Sequence, residues 1–144
     1  MFYEKVSPTV YLEKLKAGEK GANPFFDWAG VIVDSAEDSK SVLRLPVRHE
    51  FLQGAGAMQG GLITCLADEA IAHAVITTLA ENETTVTIEI KTNFMYPVSG
   101  GELTAKGSLI KRGRSVIVGE AVVTNEKGKL VAKSTGTFMV LEIK

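Results

Sequence analysis

The chain has 144 residues, 45% of them hydrophobic and 23% charged, with a formal net charge of -1. That length suits one domain, spanning 1–144, with a usable core. The composition excludes disordered, collagen-like and disulfide-scaffolded classes, and the lack of a basic excess argues against a nucleic-acid partner. Cys65 is the only cysteine, so no intrachain disulfide can form and a reducing, cytoplasmic setting is expected. The first residues resemble neither a signal nor a transit peptide, and no apolar run nears the roughly 18 residues of a membrane span.

Val10, Leu12 and Leu15 fall loosely on one face of residues 9–17, which predicts a short N-terminal helix closed by Gly18 and Gly21. Asn23-Pro24-Phe25-Phe26-Asp27-Trp28 then sets three aromatic residues beside a turn signal. It reads as a hydrophobic plug over the core or as a pocket wall. Two strands are expected at Val31–Val33 and Ser41–Val47, around a polar turn from Ser35 to Lys40, with Pro46 at a strand end or an edge.

The longest element is a helix from about Gly60 to Leu79. Leu62, Leu66, Ala70, Ala74 and Ile63, Ile71, Val75, Leu79 form neighbouring rows along it at i, i+4 spacing, with Ala67 between. Its alanines would let strands or a partner helix come close. After Glu83 the period changes to two: Val86, Ile88, Ile90 and Phe94 alternate with Thr85, Thr87, Glu89, Lys91 and Asn93. A long strand burying the apolar set is expected, with Thr87 on the opposite face. Turn signals at 99–102, 111–114 and 125–129 separate further strands at about 102–111, 115–124 and 129–141. Such short connections join antiparallel neighbours. The fold class expected is α+β, an antiparallel sheet covered by one long helix.

The stretch from Gln53 to Asp68 concentrates the chemistry. Gly54, Gly56, Gly60 and Gly61 lack Cβ atoms, and a helix starting near Gly60 aims free N–H groups at whatever approaches its end. The glycines miss the dinucleotide-binding spacing and no P-loop lysine follows. Two histidines and one cysteine without clustered spacing make a metal site unexpected. Cys65 and His73 lie eight positions, or about 12 Å, apart on one helix, too far for a nucleophile pair; Cys65 is expected in the core, and His49 and His73 are expected to be non-catalytic. Asp68 remains, an acid among Leu66, Ala67, Ala70 and Ile71. It reads either as a helix carboxylate that is solvated or bonded to Thr64, or as a nucleophile or general base tuned by partial burial. Glu69 is expected to be an exposed charge.

Gln53-x-x-Gly56-x-x-Gln59-Gly60-Gly61 followed by Leu66-Ala67-Asp68-Glu69-Ala70 resembles the Asn-x-x-Gly-x-x-His-Gly-Gly…Leu-x-Asp signature of hotdog-fold acyl-CoA thioesterases, in particular the phenylacetate-degradation and hydroxybenzoyl-CoA types. The similarity runs from Asn23 to the C-terminal strands. It implies the hotdog fold, in which the sheet wraps one central helix. It also implies a thioester hydrolase whose CoA belongs to the substrate, so that no cofactor is needed.

By that resemblance Asp68 attacks the thioester or activates water, and the Gly60 N–H, with Gly61 beside it, polarises the carbonyl. Gln53 and Gln59 stand where the family usually has Asn and His, and position water or the leaving sulfur. Thr87 matches a strand Ser/Thr that assists the acid in some relatives. Lys111, Arg112 and Arg114 form a basic hairpin tip that would hold CoA phosphates or simply be solvated. Gln can donate a hydrogen bond but cannot titrate near neutral pH. Activity therefore survives if the family's His only orients, and is slow or lost if it handles protons; the rival is a non-catalytic acyl-CoA or aryl-ligand binding protein on the same fold. Phe25, Phe26, Trp28, Met58 and Phe94 suggest an apolar pocket or plain core. Gly60 and Asp68 are about 12 Å apart along one helix and cannot both serve one thioester in cis. A two-fold homodimer is therefore expected, as the resemblance also implies, and pairing of such dimers into a homotetramer is expected beside it.

Overall fold

A computed structural model describes residues 6–143. The chain order is α1 (Pro8–Lys16), α2 (Pro24–Ala29), β1 (Ile32–Glu37), β2 (Lys40–Pro46), a 3-10 turn (His49–Phe51), α3 (Gly60–Ile76), β3 (Glu83–Phe94), β4 (Glu102–Arg112), β5 (Val116–Thr124) and β6 (Leu130–Glu142). The six strands form one antiparallel sheet in the order β1-β2-β4-β5-β6-β3, wrapped around α3 in the hotdog arrangement.

Local chemistry accounts for the element ends. Ser7 caps α1, accepting from the Val10 N–H, with Pro8 in the first turn. The aromatic stretch expected as a plug or a pocket wall is itself a helix: Asn23 caps α2 by accepting from the Phe26 N–H, and Gly30 closes it at φ 83. The turn expected from Ser35 to Lys40 is tighter than that. Asp38 and Ser39, at φ 51 and 63, make a two-residue hairpin turn, so β1 runs on to Glu37. Pro46 sits at the end of β2, where a missing N–H costs no ladder bond.

The core is α3 set into the concave face of the sheet. Leu66, Ala67, Ala70, Ile71, Ala74 and Val75 are buried, and fully burying one side chain such as Ile71 contributes about 2 kcal/mol. Three strand glycines make the close seat possible. A Cβ on Gly107 would lie 2.1 Å from the Ala70 carbonyl oxygen, and one on Gly119 would lie 2.6 Å from Ile71 Cγ2. On β6, Gly136 faces Gly119 across the ladder and also abuts Ile71. The Ser41 hydroxyl, opposite Gly107, donates to the same Ala70 carbonyl at 2.5 Å.

Strand β3 departs from the simple alternation. A bulge lies between Thr87 and Glu89, at Ile88. The extra residue reverses the pleat, so Thr87 joins Ile90, Thr92 and Phe94 on the helix side, while Val86 and Ile88, expected inside, are about half exposed. Phe94 is 52% exposed as well, at the open end of the strand. β3 is also a sheet edge, with one side unpaired along its 12 residues.

Candidate active site

The bulge brings two of the candidate residues together. The Thr87 hydroxyl donates to Asp68 Oδ1 at 2.8 Å. Thr64, the other possible partner, instead donates to the Thr92 hydroxyl at 3.1 Å, which in turn bonds to Ser134, tying α3 to β3 and β6. Asp68 is half-buried on the flank of α3. Burial pushes its carboxyl above the usual range, and the Thr87 bond pulls partly back. An acid moved in that direction is a better base near neutral pH.

The same flank corrects the expectation for Cys65, which is exposed. Gly61, Cys65, Asp68 and Ala72 follow one another at helical spacing on the side of α3 that the sheet leaves uncovered. Burial still pushes the Cys65 thiol up, with the Asp68 and Glu69 charges adding to it.

Glu69 is not the exposed charge expected. Its side chain is 25% accessible, and its pKa is pushed up to about 7 by burial first and by Asp68 second. It stands 3.5 Å from Nδ1 of His73, a fully buried imidazole whose hydrogen bonds are all internal. Nδ1 donates to the Glu69 carbonyl at 2.7 Å, so Nε2 must accept from Tyr11 Oη at 2.9 Å; Tyr11 in turn accepts from Asn23 Nδ2 at 2.9 Å. Burial holds His73 neutral, with a pKa lowered to about 4, and raises Tyr11 to about 12. The i, i+4 spacing of Glu69 and His73 was the available sequence signal for this network.

At the other end of the stretch, α3 begins at Gly60 with Gln59 as its N-cap, which makes no side-chain cap bond. The first-turn N–H groups of a helix have no intrahelical acceptor, so those of Gly60 and Gly61 face outward. A Cβ on Gly60 would lie 3.2 Å from the Phe94 ring, while one on Gly61 would meet nothing within 4 Å. Beside Gly60 opens a cavity of about 290 Å³ lined by Met58, Ile63, Phe94, Met95 and Val98 among others. Phe94 and Met58 are thus pocket walls, while Phe25, Phe26 and Trp28 cluster elsewhere with Phe51 and His73.

Gln53 and Gln59 are both exposed; the Gln53 Oε1 accepts from the Ala55 N–H within its own turn. Arg112 is committed elsewhere, pairing with Glu83 at 3.5 Å and reaching the carbonyls of Gly113, Arg114 and Thr78. Lys111 and Arg114 are exposed. Among the described residues, no three His, Cys, Asp or Glu side chains converge as metal ligands, and no helix is long and apolar enough to cross a membrane.

Residues 55–132 match the family model described as the thioesterase superfamily, more than half of the chain, including Gly56, Gln59, Gly60, Gly61 and Asp68. The chain belongs to the thioesterase superfamily. It is a hydrolase of that family, with the hotdog fold. A Saccharolobus solfataricus protein provisionally named an esterase is 32% identical over 125 residues, covering 87% of this chain and 89% of its own. The 1,4-dihydroxy-2-naphthoyl-CoA hydrolase of Listeria monocytogenes is 30% identical over 111 residues, covering 77% of this chain and 90% of its own. Among solved structures, a thioesterase from Haemophilus influenzae superposes with a TM-score of 0.82 at 27% identity, covering 92% of this chain and 91% of the other. The thioesterase reading made from the Gln53–Asp68 stretch therefore holds at the level of fold and reaction class.

Proposed function

We propose that this thioesterase hydrolyses a small aryl- or medium-chain acyl-CoA to the free acid and CoA, at a site shared between two chains. The observation that carries the reading is the pairing of Asp68 with Thr87 on the uncovered flank of a helix whose first N–H groups are free. Asp68 takes a proton from water, and the hydroxide adds to the thioester carbon. The oxygen turns anionic against the Gly60 N–H of the other chain, and the C–S bond then breaks to release the thiolate, which is protonated to CoA. In the alternative order, Asp68 adds directly and water hydrolyses the resulting anhydride. Incorporation of solvent oxygen into Asp68 during a single turnover distinguishes the two.

Gln53 and Gln59 supply neutral hydrogen bonds to the water or the leaving sulfur. The two chains lie with their α3 helices antiparallel, each covering the other's Gly61–Ala72 flank, and their β3 edges join so that no long strand edge is left open. Pairing of such dimers gives the tetramer, and the lone cysteine suits a cytoplasmic setting. Support for an apolar acyl group comes from the cavity beside Gly60, whose lining carries no charged side chain.

The test is release of free thiol from a panel of aryl- and fatty acyl-CoA esters by the wild type and Asp68→Ala. The substitution is expected to lower kcat on the order of 10² to 10⁴-fold. Unchanged turnover removes Asp68 from the mechanism. Binding of the esters without turnover by the wild type favours the ligand-binding reading, which the presence of Gln59 in place of a histidine supports.

A further inference from the structure

Two hollows open near the Gly60 end of α3 and have a wall in common. The first is the uncharged cavity of about 290 Å³ beside Gly60. The second, of about 420 Å³, lies between the β3–β4 loop and the β5–β6 turn and is lined by Lys127 and Lys129. Tyr96, Pro97 and Val98 line both. We infer that the second hollow holds the phosphate-bearing nucleotide end of CoA, with Lys127 and Lys129 as its anion-binding residues. The inference rests on the acyl-CoA reading proposed above.

An acyl-CoA has a neutral reacting end and arm and a strongly anionic far end, and the two hollows divide in the same way. Lys129 Nζ stands 3.7 Å from the Tyr96 ring centroid, which places the ammonium on the shared wall. The turn that presents both lysines is internally held: Asn125 Oδ1 accepts from the Lys127 and Lys129 N–H groups, each at 3.0 Å, and Gly128 supplies the left-handed residue at φ 75. Glu126 is the one acid in the lining; its carboxyl group lies over Gly101, within 2.9 Å of where a Cβ would be. Two lysines against one glutamate leave the hollow formally positive.

Within one chain, the hairpin at 111–114 stands at the opposite end of α3 from both hollows. Arg112 is bound to Glu83 and to carbonyls, and it reaches Thr78, just beyond the far end of α3, on the order of 24 Å of helix away from Gly60.

The test compares an acyl-CoA with the N-acetylcysteamine thioester of the same acid, which lacks the nucleotide. In Lys127→Ala/Lys129→Ala, kcat/KM for the CoA ester is expected to fall about tenfold, in line with two partly exposed ion pairs, while the truncated ester changes by less than about twofold. Glu126→Gln is expected to raise kcat/KM for the CoA ester alone. An unchanged CoA ester, or an equal fall for both esters, overturns the assignment. Should the wild type turn over neither ester, the hydrolase reading fails separately. The inference is then read from calorimetric binding of CoA, where about tenfold weaker binding by the double variant supports it and equal affinity overturns it.

Discussion

The Thr87 hydroxyl donates to Asp68 Oδ1 at 2.8 Å, and a bulge at Ile88 is what turns Thr87 toward the helix. Without that extra residue, strand alternation would carry Thr87 to the outer face with the solvent.

Thr87→Val removes a hydrogen bond that stabilises the charged carboxylate and so raises the Asp68 pKa further. The acid limb of the kcat/KM profile is expected to move to higher pH, with activity near neutrality falling roughly tenfold and Thr87→Ser restoring most of it. A fall without displacement of the limb would assign Thr87 a purely structural role.

Gly60→Pro deletes the proposed oxyanion donor while respecting the helix. Proline suits the first helical position, and Gln59, at φ -56 and ψ 123, already has the extended backbone that a following proline requires. Because a Cβ there would press on Phe94, the comparison is made in a Phe94→Ala background. A loss on the order of 10² to 10³-fold in kcat with unchanged helix content is expected. Full activity would exclude this N–H.

Gly107→Ala forces a methyl group to within 2.1 Å of the Ala70 carbonyl oxygen. Either α3 lifts or the Ser41 bond breaks, at about 3 kcal/mol, and the melting temperature falls by roughly 6 to 12 °C. Gly54→Ala, where a Cβ meets nothing, is expected to melt as the wild type does.

Glu69 and His73 make stability depend on pH in opposite senses. Glu69, raised from 4.5 to about 7, holds its proton more tightly when folded, so its stabilising contribution is full below 4.5 and lost as pH rises through 7. His73, lowered from 6.5 to about 4, costs nothing above 6.5 and increasingly destabilises the fold as pH falls toward 4. Glu69→Gln is therefore expected to be more stable than the wild type above pH 7, on the order of 2 kcal/mol by denaturant unfolding, with the difference vanishing near pH 4.5. A difference independent of pH would mean that Glu69 ionises normally.

An antiparallel sheet covered by one long helix could be read from the sequence because its largest signals are strong and local, and the family resemblance of the Gln53–Asp68 stretch implied the hotdog wrapping. The alanine-rich rows of α3, the period-two runs and the Gly-containing turns each point to one element, and α3 starts at Gly60 as expected. Two features were hidden for physical reasons, and a third was legible. The Ile88 bulge leaves no compositional mark, so strict alternation placed Val86 and Thr87 on the wrong faces. Cys65 was assigned to the core because α3 is apolar nearly all round, whereas the sheet covers only part of its circumference. Gly107, Gly119 and Gly136 could have been read as points of close approach, since glycine in a strand interior has little other reason to be there. Of the candidate site, the Asp68–Thr87 pair and the open Gly60 end are present as geometry. The separation of Gly60 and Asp68 along one helix is the fact that most constrains the chemistry.

That constraint is tested most directly by mixing two inactive proteins. Both chains carry Phe94→Ala; Asp68→Ala chains keep Gly60, and Gly60→Pro chains keep Asp68. Co-expressed in equal amounts, they form mixed dimers in about half of all pairs, each with one complete site of two, so about a quarter of the activity of the Phe94→Ala parent is expected to return. Activity no greater than that of either inactive parent, with mixed dimers shown to be present, would contradict a site shared between two chains.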